Sequence, residues 1–514
     1  MSSVMEDDKK RGVVFDAPVA AKTEVGQETS LEHVMYADFA GRSTQWKKEQ
    51  ESRLLKKIDL RLMPLLTLIY LLNYLDRANL AQARQGSLEK DLDMTGADYN
   101  LATSIFFVGY LFMQLPSNIL ITKVRPSIYL ATVVTLWGVV STCNAAAKNL
   151  THLIIVRFFL GFAEAPFFPG AVYIMSCWYT RAELTRRVAW FYTGSSLASM
   201  FGGLIGYGVL KDLDGAAGLS GWRWLFIIEG IATISVALFA AVILPDYPKT
   251  SKWLSEEERA FACWRLAKDI NADKESDTAN IPKGLMAGVK LAFQDYRIYL
   301  FIVIHHLNSL AATITFFFPS IVETLDVPKL TALLLTVPVW FTTFLVCVAA
   351  NFTAAKTNDK SIHIMLLTAV AAVGSVVLVT TTSFASRYFA MFLVPIGFSA
   401  SYTIIVSWIS NSFPLPDVKR SSAIAIINSI GNTASIYGSY MYEKDTAPQY
   451  LPGGAATAGV CVAIIIVTYI LRRVHIWENS KLDEAEMEAE GAEAGIVAPP
   501  PPSRMTPPGY RYLY

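Results

Sequence analysis

Apolar residues occur along this chain in long unbroken runs. A helix that crosses the hydrocarbon core of a bilayer needs about twenty predominantly apolar residues, and twelve stretches of the sequence have that length. They are residues 60–80, 101–122, 127–147, 152–175, 188–210, 223–244, 298–320, 330–352, 362–382, 388–410, 422–442 and 453–471. We therefore predict an all-α integral membrane fold of twelve transmembrane helices, numbered here as spans 1 to 12.

A polar linker separates two sets of six spans, and polar sequence forms both ends of the chain. We assign residues 46–245 and 297–475 to two six-helix bundles and residues 246–296 to the linker. Residues 1–45 and 476–514 lack a hydrophobic period, so we expect disordered tails there. Two bundles of six spans joined by a linker are the organisation of many secondary transporters.

A short motif predicts a helix inside the linker. Ser255 is followed three residues later by Glu258, which is a capping box, and an amphipathic pattern continues to about Lys268. We expect this helix to lie on the surface and to brace the cytoplasmic ends of both bundles. The alternative interpretation is a binding site for a regulatory partner.

Lysine and arginine are distributed unequally between the loops, and loops rich in these residues remain in the cytoplasm. The linker and the loops after spans 2, 4, 8 and 10 each contain two or more, whereas the opposite loops contain one or two. Both termini are then cytoplasmic. We expect a multi-pass protein of the plasma membrane.

Composition and charge narrow the possible functions. Hydrophobic residues make up 53% of the 514 and charged residues only 17%, which is too apolar for an aqueous fold. The formal net charge is +1 and no basic face is present, which argues against a nucleic-acid partner. Five scattered cysteines lack metal or redox spacing, so we expect no disulfide framework, metal or cofactor.

Charged side chains inside the spans are the main functional candidates, because each is costly in a bilayer unless it is paired or hydrated. Few occur. They are Asp76 and Arg77 in span 1, Arg157 and Glu164 in span 4, Glu229 in span 6, and His305 and His306 in span 7.

Four of these charges are predicted to share one polar cavity. Glu164 follows Arg157 by seven residues, which places both on one face of span 4, two turns apart. Span 1 runs in the opposite direction and brings Asp76 and Arg77 near the depth of Arg157. A guanidinium can bind a carboxylate with two hydrogen bonds, and a neighbouring carboxylic acid can exchange a proton. The pattern indicates a site for a small organic anion whose transport is coupled to protons.

Each candidate has a structural alternative. Arg77 and Arg157 could extend their head groups to the membrane interface, and Glu164 could form a purely structural pair. Glu229 could brace neighbouring helices. At least one of the two adjacent histidines is expected to be structural.

Two further motifs concern packing and modification. Gly202 and Gly206 in span 5 form a small-residue pair of the kind that permits close helix packing. Asn149 begins the sequon Asn-Leu-Thr on a predicted external loop close to the membrane, which makes it a candidate for N-glycosylation.

Several co-ordered motifs resemble those of the anion:cation symporter family of the major facilitator superfamily. The motifs are LDRAN at 75–79 with Ala83-Arg84, Gly109-Tyr110 with QLPSN at 114–118, RFFLGFAEA at 157–165, WYTRAE at 178–183, and GWRWLF at 221–226 with Glu229-Gly230. The resemblance covers residues 50–475. It is greatest to the fungal branch, whose members import allantoate, nicotinate, vitamins and other carboxylates. Residues 122–126, TKVRP, lack the Gly and Asp-Arg pattern usual in the superfamily at this loop.

The resemblance implies uptake of an organic anion together with protons, by a protein that functions as a monomer. In such carriers the arginine of the first-span pair contacts the substrate carboxylate, and this role falls on Arg77. The adjoining aspartate and the fourth-span glutamate handle protons, which assigns Asp76 and Glu164. Arg157 would complete the network.

Three more residues are candidates for substrate contacts: Tyr74, Asn428 and Trp408. Trp408 also belongs to a weak internal repeat, because Trp178 ahead of a basic pair between spans 4 and 5 resembles Trp408 ahead of a basic pair between spans 10 and 11.

Export of an acidic secondary metabolite or a drug is the alternative function. Proton antiporters of the superfamily carry a Gly-Pro motif in span 5, and residues 201–206 contain no proline, which favours import. A nutrient sensor would show a long folded cytoplasmic extension. An enzyme would need a nucleophile with its base, or a metal-ligand cluster, at one depth. The sequence favours neither.

The charge distribution predicts that epitope tags placed before Met1 and after Tyr514 are both protected from protease in intact cells. Positive loops on the same side as both termini are the physical reason. The measurement is immunoblotting of protease-treated cells with and without permeabilisation. Cleavage of either tag in intact cells would contradict the topology.

Overall fold

The computed structural model describes residues 35–36, 38–121, 124–271, 285–325, 327–413, 417–493 and 511–514. In these residues all regular elements are helical, and each predicted span coincides with a helix. Spans 1 to 6 comprise Thr44–Ala83, Gly96–Leu120, Pro126–Cys143, Leu150–Glu164 with Phe167–Ser176, Arg181–Asp212 and Gly221–Ile243. Spans 7 to 12 comprise Arg297–Ala312 with Phe318–Glu323, Lys329–Thr357, Lys360–Thr380, Phe384–Ser412, Asp417–Asn432 with Ala434–Gly438, and Leu451–Glu493.

Nine helices of the described chain are long and apolar enough to cross a membrane by themselves. Spans 2, 5 and 11 are the remainder; spans 5 and 11 begin with charged residues and are interrupted by Ser, Thr and Gly. Large apolar side chains such as Val242, Phe352 and Leu366 stay exposed on the outer faces. Lipid can cover these apolar faces, because a helix forms all of its backbone hydrogen bonds internally and leaves no polar backbone group exposed. The predicted all-α membrane fold is confirmed.

The two bundles meet along spans 5 and 8, 2 and 11, and 1 and 7. We call the end that carries residues 246–296 the linker end and the opposite end the far end. At the far end Gln85 and Ser320 are hydrogen bonded at 3.2 Å, and the Lys444 ammonium lies 2.9 Å from a Glu89 oxygen. The Tyr99 hydroxyl donates to the Phe316 carbonyl oxygen at 2.8 Å. These contacts fasten the bundles together there.

Spans 2 and 4 cross at two glycines. A Cβ added at Gly161 would overlap the backbone oxygen of Phe106, and a Cβ added at Gly109 would overlap that of Phe158. The two backbones therefore touch each other without intervening side chains. Small residues provide this closeness, which supplies van der Waals contact where the hydrophobic effect does not drive association.

Three spans are interrupted near their middle. Span 4 breaks at Pro166, whose ring nitrogen has no N–H for the helical ladder. Span 7 tightens into a 3₁₀ segment at Thr313–Phe317, where the Thr313 and Thr315 hydroxyls donate to carbonyl oxygens of the preceding turn. Span 11 breaks at Thr433. Irregular backbone at membrane depth is tolerated where protein or water covers it.

The linker helix predicted from the capping box is present as Glu256–Asn271, and Ser255 and Glu258 form the reciprocal bonds. Its Arg265 contacts Glu183 at 2.6 Å and the Trp178 carbonyl oxygen at 2.9 Å, both in the N-terminal bundle. A second helix, Leu285–Phe293, packs on span 11 of the other bundle. In the described chain each bundle thus has a linker helix packed on it, and the bracing of both bundles by Glu256–Asn271 stays a prediction.

Each bundle also has an ion network at its linker end. In the N-terminal bundle Arg187 binds Asp59 with two bonds of 2.6 and 2.7 Å. In the C-terminal bundle Asp295 contacts Arg297 at 2.6 Å and Lys419 at 2.7 Å. Burial alone would raise the pKa of Asp295, but the hydrogen bonds and charges of Arg297 and Lys419 lower it to about 2. Asp295 is consequently ionised at any physiological pH.

The structure departs from the expected disordered tails. Residues 1–34, 37 and 494–510 lie outside the described part, and disorder there stays a prediction. Phe39, by contrast, is buried against Phe261 of the linker helix, with ring centroids 5.5 Å apart. The twelfth helix continues past residue 476 to Glu493. Residues 511–514 pack on the C-terminal bundle, where Tyr512 exchanges two hydrogen bonds with Asn479. The packing of Phe39 and of Tyr512 could not be predicted from the sequence, because each depends on an aromatic side chain within a mostly polar segment.

The glycine crossing predicts that Gly161→Ala lowers the melting temperature of the detergent-purified protein, because the new methyl group would force spans 2 and 4 apart. Gly208→Ala is the matched control: a Cβ there meets nothing within 4 Å, and alanine is favoured over glycine in helices by about 1 kcal/mol. Equal melting temperatures for the two variants would show that the crossing is not a tight contact.

Candidate functional site

A cavity of about 200 Å³ lies between the bundles, halfway along the spans. Spans 1, 2 and 5 line it from one bundle and spans 7, 8, 10 and 11 from the other. The breaks in spans 7 and 11 both border it, so interrupted helices face this space as in many transporters. Its walls combine aromatic rings with serine and threonine hydroxyls, and among the described lining residues Arg77 is the one that carries a charge.

Arg77 is held by an ion pair and by three aromatic rings. Its Nε donates to Glu164, whose side chain is fully buried, whereas 18% of the Arg77 side chain is exposed. The guanidinium carbon lies 5.0 Å from the Tyr110 ring centroid, 5.3 Å from that of Tyr74 and 5.4 Å from that of Phe106. Cation–π contacts and the ion pair therefore fix the guanidinium while one side of it faces the cavity.

Arg157 is buried next to Phe106 and is not among the described residues that line this cavity. It is 2% exposed, and its guanidinium carbon lies 5.3 Å from the Phe106 centroid. Within the described chain its Nε and Nη1 have no hydrogen-bond partner. Arg157 does not extend to an interface, and a small recess separates it from Arg77.

Asp76 points away from the cavity. Its carboxylate accepts hydrogen bonds from the Trp137 indole and from the Ser141 hydroxyl, the latter at 2.6 Å, and the residue is 1% exposed. The prediction of one cavity shared by four charges is therefore wrong in arrangement. Arg77 faces the cavity and Glu164 is its fully buried partner, whereas Arg157 lies behind Phe106 and Asp76 faces span 3. Neighbouring side chains on a helix point in directions about 100° apart around its axis, so residues at one depth need not face the same space.

The other predicted substrate contacts divide. Tyr74 lines the cavity beside Arg77. Asn428 is not among the described lining residues and is placed against His305. Trp408 is fully buried at the linker end, where its indole donates to the Leu513 carbonyl oxygen at 2.9 Å. The expectation that Trp408 contacts substrate is corrected, because Trp408 lies at the linker end and is not among the described lining residues. Its partner in the internal repeat, Trp178, lies at the same end of the other bundle.

Sequence reasoning missed two tyrosines that face each other across the cavity. The rings of Tyr192 in span 5 and Tyr402 in span 10 are 5.6 Å apart and perpendicular. The His305 ring centroid lies 5.5 Å from that of Tyr402. Both tyrosines occur among serines and threonines in the middle of a span, and that polar cluster is the signal that could have found them.

His306 is structural, as expected for one of the two histidines. Its ring nitrogens contact the Ile430 carbonyl oxygen at 3.1 Å and the Tyr437 hydroxyl at 2.5 Å. These bonds tie span 7 to span 11 outside the cavity. Glu229 lies elsewhere, between spans 1 and 6, where it accepts a hydrogen bond from Asn79 at 2.7 Å.

The glycines of span 5 lie against span 1. A Cβ at Gly202 or Gly206 would collide with the Gln82 side chain, and Gln82 lines the cavity. Gly203 faces the opposite bundle at Leu333. Asn149 of the sequon caps span 4, because its side-chain oxygen accepts from the His152 N–H at 2.9 Å.

The fold and its central cavity define a secondary transporter of the two-bundle type, and comparison with known proteins agrees. Residues 66–439 match the family model of the Major Facilitator Superfamily, and the chain belongs to that family. It is 32% identical over 505 residues to an MFS-type transporter, cnsO, of Penicillium expansum, with 94% of each chain covered. It is 31% identical to a putative tartrate transporter of Agrobacterium vitis, covering 82% of this chain and 95% of the relative.

Among solved structures, a D-xylose-proton symporter is similar in fold. The TM-score is 0.61 at 13% identity, and the match covers 79% of this chain and 97% of the symporter. At this identity the likeness supports the fold and leaves the substrate open.

The cavity geometry predicts that Ser199→Cys, in a variant lacking the five native cysteines, reacts with a water-soluble thiol reagent, because Ser199 lines the cavity. Ser375→Cys is the matched control, since Ser375 is fully buried in the C-terminal bundle and is not a lining residue. Labelling is measured by mass spectrometry of the purified protein. Equal labelling at both positions would contradict this assignment.

Proposed function

We propose that this protein takes up a small organic anion together with protons, as a member of the anion:cation symporter family. The observation that supports the proposal most directly is the position of Arg77. It is the charged residue among the described cavity walls, and a planar guanidinium matches a carboxylate through two parallel hydrogen bonds.

The lining favours a particular class of anion. The cavity presents one guanidinium, which Glu164 already pairs. Its single positive charge can neutralise one carboxylate of a substrate but not two. Tyr192 and Tyr402 offer aromatic faces and hydroxyls to the rest of the substrate, and serines and threonines offer further hydrogen bonds. We therefore infer a monocarboxylate with an aromatic or hydroxylated body, of vitamin-like size. The name of the Agrobacterium relative supports carboxylate chemistry in general.

Coupling to protons follows from competition for Arg77. An ionised Glu164 occupies the guanidinium, whereas a protonated Glu164 releases it to an incoming carboxylate. Proton and anion would thus enter together, and loss of the proton on the other side would return Glu164 to Arg77 and expel the anion. The far-end contacts of Gln85, Glu89 and Tyr99 would have to part whenever the cavity opens at that end.

The orientation belongs to the same proposal. We place the linker end and both termini in the cytoplasm and the far end outside the plasma membrane. Lysine and arginine in the linker-end loops support this orientation. Asn149, at the far end of span 4, would then be accessible to glycosylation.

The direct test is uptake of a panel of radiolabelled monocarboxylates and dicarboxylates into proteoliposomes, with and without an inward proton gradient. We expect the gradient to increase accumulation of at least one aromatic or hydroxylated monocarboxylate. Export of acidic compounds from loaded vesicles without gradient-driven uptake would favour an exporter instead.

Arg77→Lys retains the positive charge but loses the bidentate fork. We expect the substrate concentration for half-maximal transport to rise roughly 10- to 100-fold, since one charged hydrogen bond contributes on the order of 1.5–3 kcal/mol. Arg187→Lys is the matched control, because Arg187 also binds a carboxylate, that of Asp59, with two hydrogen bonds but lies at the linker end, outside the cavity. An unchanged half-saturation constant in Arg77→Lys, for every anion transported, would remove Arg77 from the binding site.

Glu164→Gln imitates the protonated form permanently and leaves Arg77 free. We expect exchange of labelled for unlabelled substrate to continue while proton-driven accumulation is lost. Both are measured in the same proteoliposomes, with Glu443→Gln, an exposed substitution, as the control. If Glu164→Gln still accumulates substrate in response to protons, Glu164 has a structural role and Asp76 becomes the coupling residue.

A further inference from the structure

Two buried carboxyl groups lie on the side of span 1 that faces away from the cavity. Asp76 is 1% exposed and Glu229 is 2% exposed. Asp76 points to span 3, and Glu229 of span 6 contacts Asn79 of span 1, one helical turn beyond Asp76. Gly230, next to Glu229, packs directly on Thr142 of span 3, and the neighbouring Ser141 donates to Asp76. The two carboxyl groups occupy the junction of spans 1, 3 and 6.

Neutral groups supply the hydrogen bonds recorded at this junction. Asp76 accepts from the Trp137 indole and the Ser141 hydroxyl, and Glu229 accepts from the Asn79 amide. The second Glu229 oxygen, Oε1, has no partner among the described residues. In the described chain neither carboxylate forms an ion pair with lysine, arginine or histidine within 4 Å.

The surrounding charges are few. Span 6 packs against spans 1, 3 and 5, and Asp76 is the ionisable group that interacts with Glu229 from those spans in the described chain. Asp76 also experiences the charges of Glu164 and Arg157 from span 4. Asp76 thus stands between the substrate-binding charges and Glu229.

Two neighbouring buried carboxyl groups that no cation pairs directly favour a shared proton, because ionising both at low dielectric would place two like charges close together. We propose that Asp76 and Glu229 hold one proton between them and form a proton-binding site that is separated from the substrate cavity by span 1. Glu229 is then a coupling residue that touches the proton and not the anion. This role in coupling rests on the proposed proton-driven uptake, whereas the shared proton does not.

The packing of the junction gives the site a way to communicate with the cavity. Spans 3 and 6 are locked together, because a Cβ at Gly230 would overlap Thr142 and one at Gly138 would lie 2.8 Å from Ile234. Span 1 is the element shared with the cavity, and it carries Asp76 and Arg77 as consecutive residues. Loss of the shared proton leaves two negative charges repelling each other across spans 1 and 6. A displacement of span 1 that relieves this repulsion also moves Arg77.

The test is infrared spectroscopy of the purified full-length chain in detergent, following the C=O band of protonated carboxyl groups as the pH is raised. No substrate is needed. In the unaltered protein we expect a buried carboxyl band that persists into the alkaline range. In Glu229→Gln and in Asp76→Asn the remaining carboxyl group loses its neighbour's charge, so the band should disappear at a lower pH than in the unaltered protein.

Ser141→Ala provides a variant that retains both carboxyl groups. It removes a donor to ionised Asp76, and the pH at which the first proton leaves the pair should rise. Glu443→Gln, at an exposed position, should leave the titration unchanged. An unchanged band in Glu229→Gln and Asp76→Asn would overturn the proposal, as would a band that responds only to Glu164→Gln.

Transport separates this inference from the proposed function. With any anion that the unaltered protein accumulates, Glu229→Gln should retain exchange and lose proton-driven accumulation, while Glu229→Asp should restore part of it. Full proton-driven accumulation in Glu229→Gln would refute the coupling role. If the panel yields no transported anion, the proposed function fails, but the titration still decides whether the proton is shared.

Discussion

The bond between Arg77 and Glu164 is the interaction around which the centre of this protein is arranged. A charge in the bilayer is tolerated only with a partner, so spans 1 and 4 must approach each other at this depth. The glycines at the crossing of spans 2 and 4 bring Phe106 and Tyr110 close enough to stack on the guanidinium. Replacing the partner of a buried charge leaves the other group unpaired, and this makes the pair sensitive to the loss of either side chain.

Span 1 lies between two different environments inside the protein. One face presents Tyr74, Arg77 and Gln82 to the cavity, and the other presents Asp76 and Asn79 to spans 3 and 6. A helix is stiff along its length, so a rotation or shift that alters one face alters the other. The glycines of span 5 pack closely on Gln82 and leave this helix little lateral freedom on that side.

The two bundles are each closed at the linker end by their own charges and their own linker helix. Arg187 with Asp59 and Lys419 with Asp295 occupy corresponding positions in the two halves. Contacts between the halves include hydrogen bonds and an ion pair at the far end and two tyrosines at the cavity. Such a distribution suits bundles that move as rigid bodies about a central site.

Two quantities determined what the sequence could predict: the length of the apolar runs and the free energy of placing a charge in the bilayer. Twelve spans followed from the thickness of a bilayer, and the candidates Arg77, Glu164, Asp76 and Arg157 followed from the expense of charges within it. Depth along a helix could be counted from the residue number. The linker helix was likewise predicted by its capping box, because capping is a local interaction between residues three positions apart.

The tertiary structure alone decided which way each side chain faces. Residues that share a depth may point to opposite sides of a span, and rotation is set by packing against neighbours that are distant in sequence. Sequence depth therefore places Asp76 at the cavity, whereas its carboxylate accepts a hydrogen bond from Trp137. The sequence likewise predicts a substrate contact for Trp408, whereas its indole donates to the Leu513 carbonyl oxygen. Tyr192 and Tyr402 acquire their significance only from the packing that brings spans 5 and 10 together at the cavity.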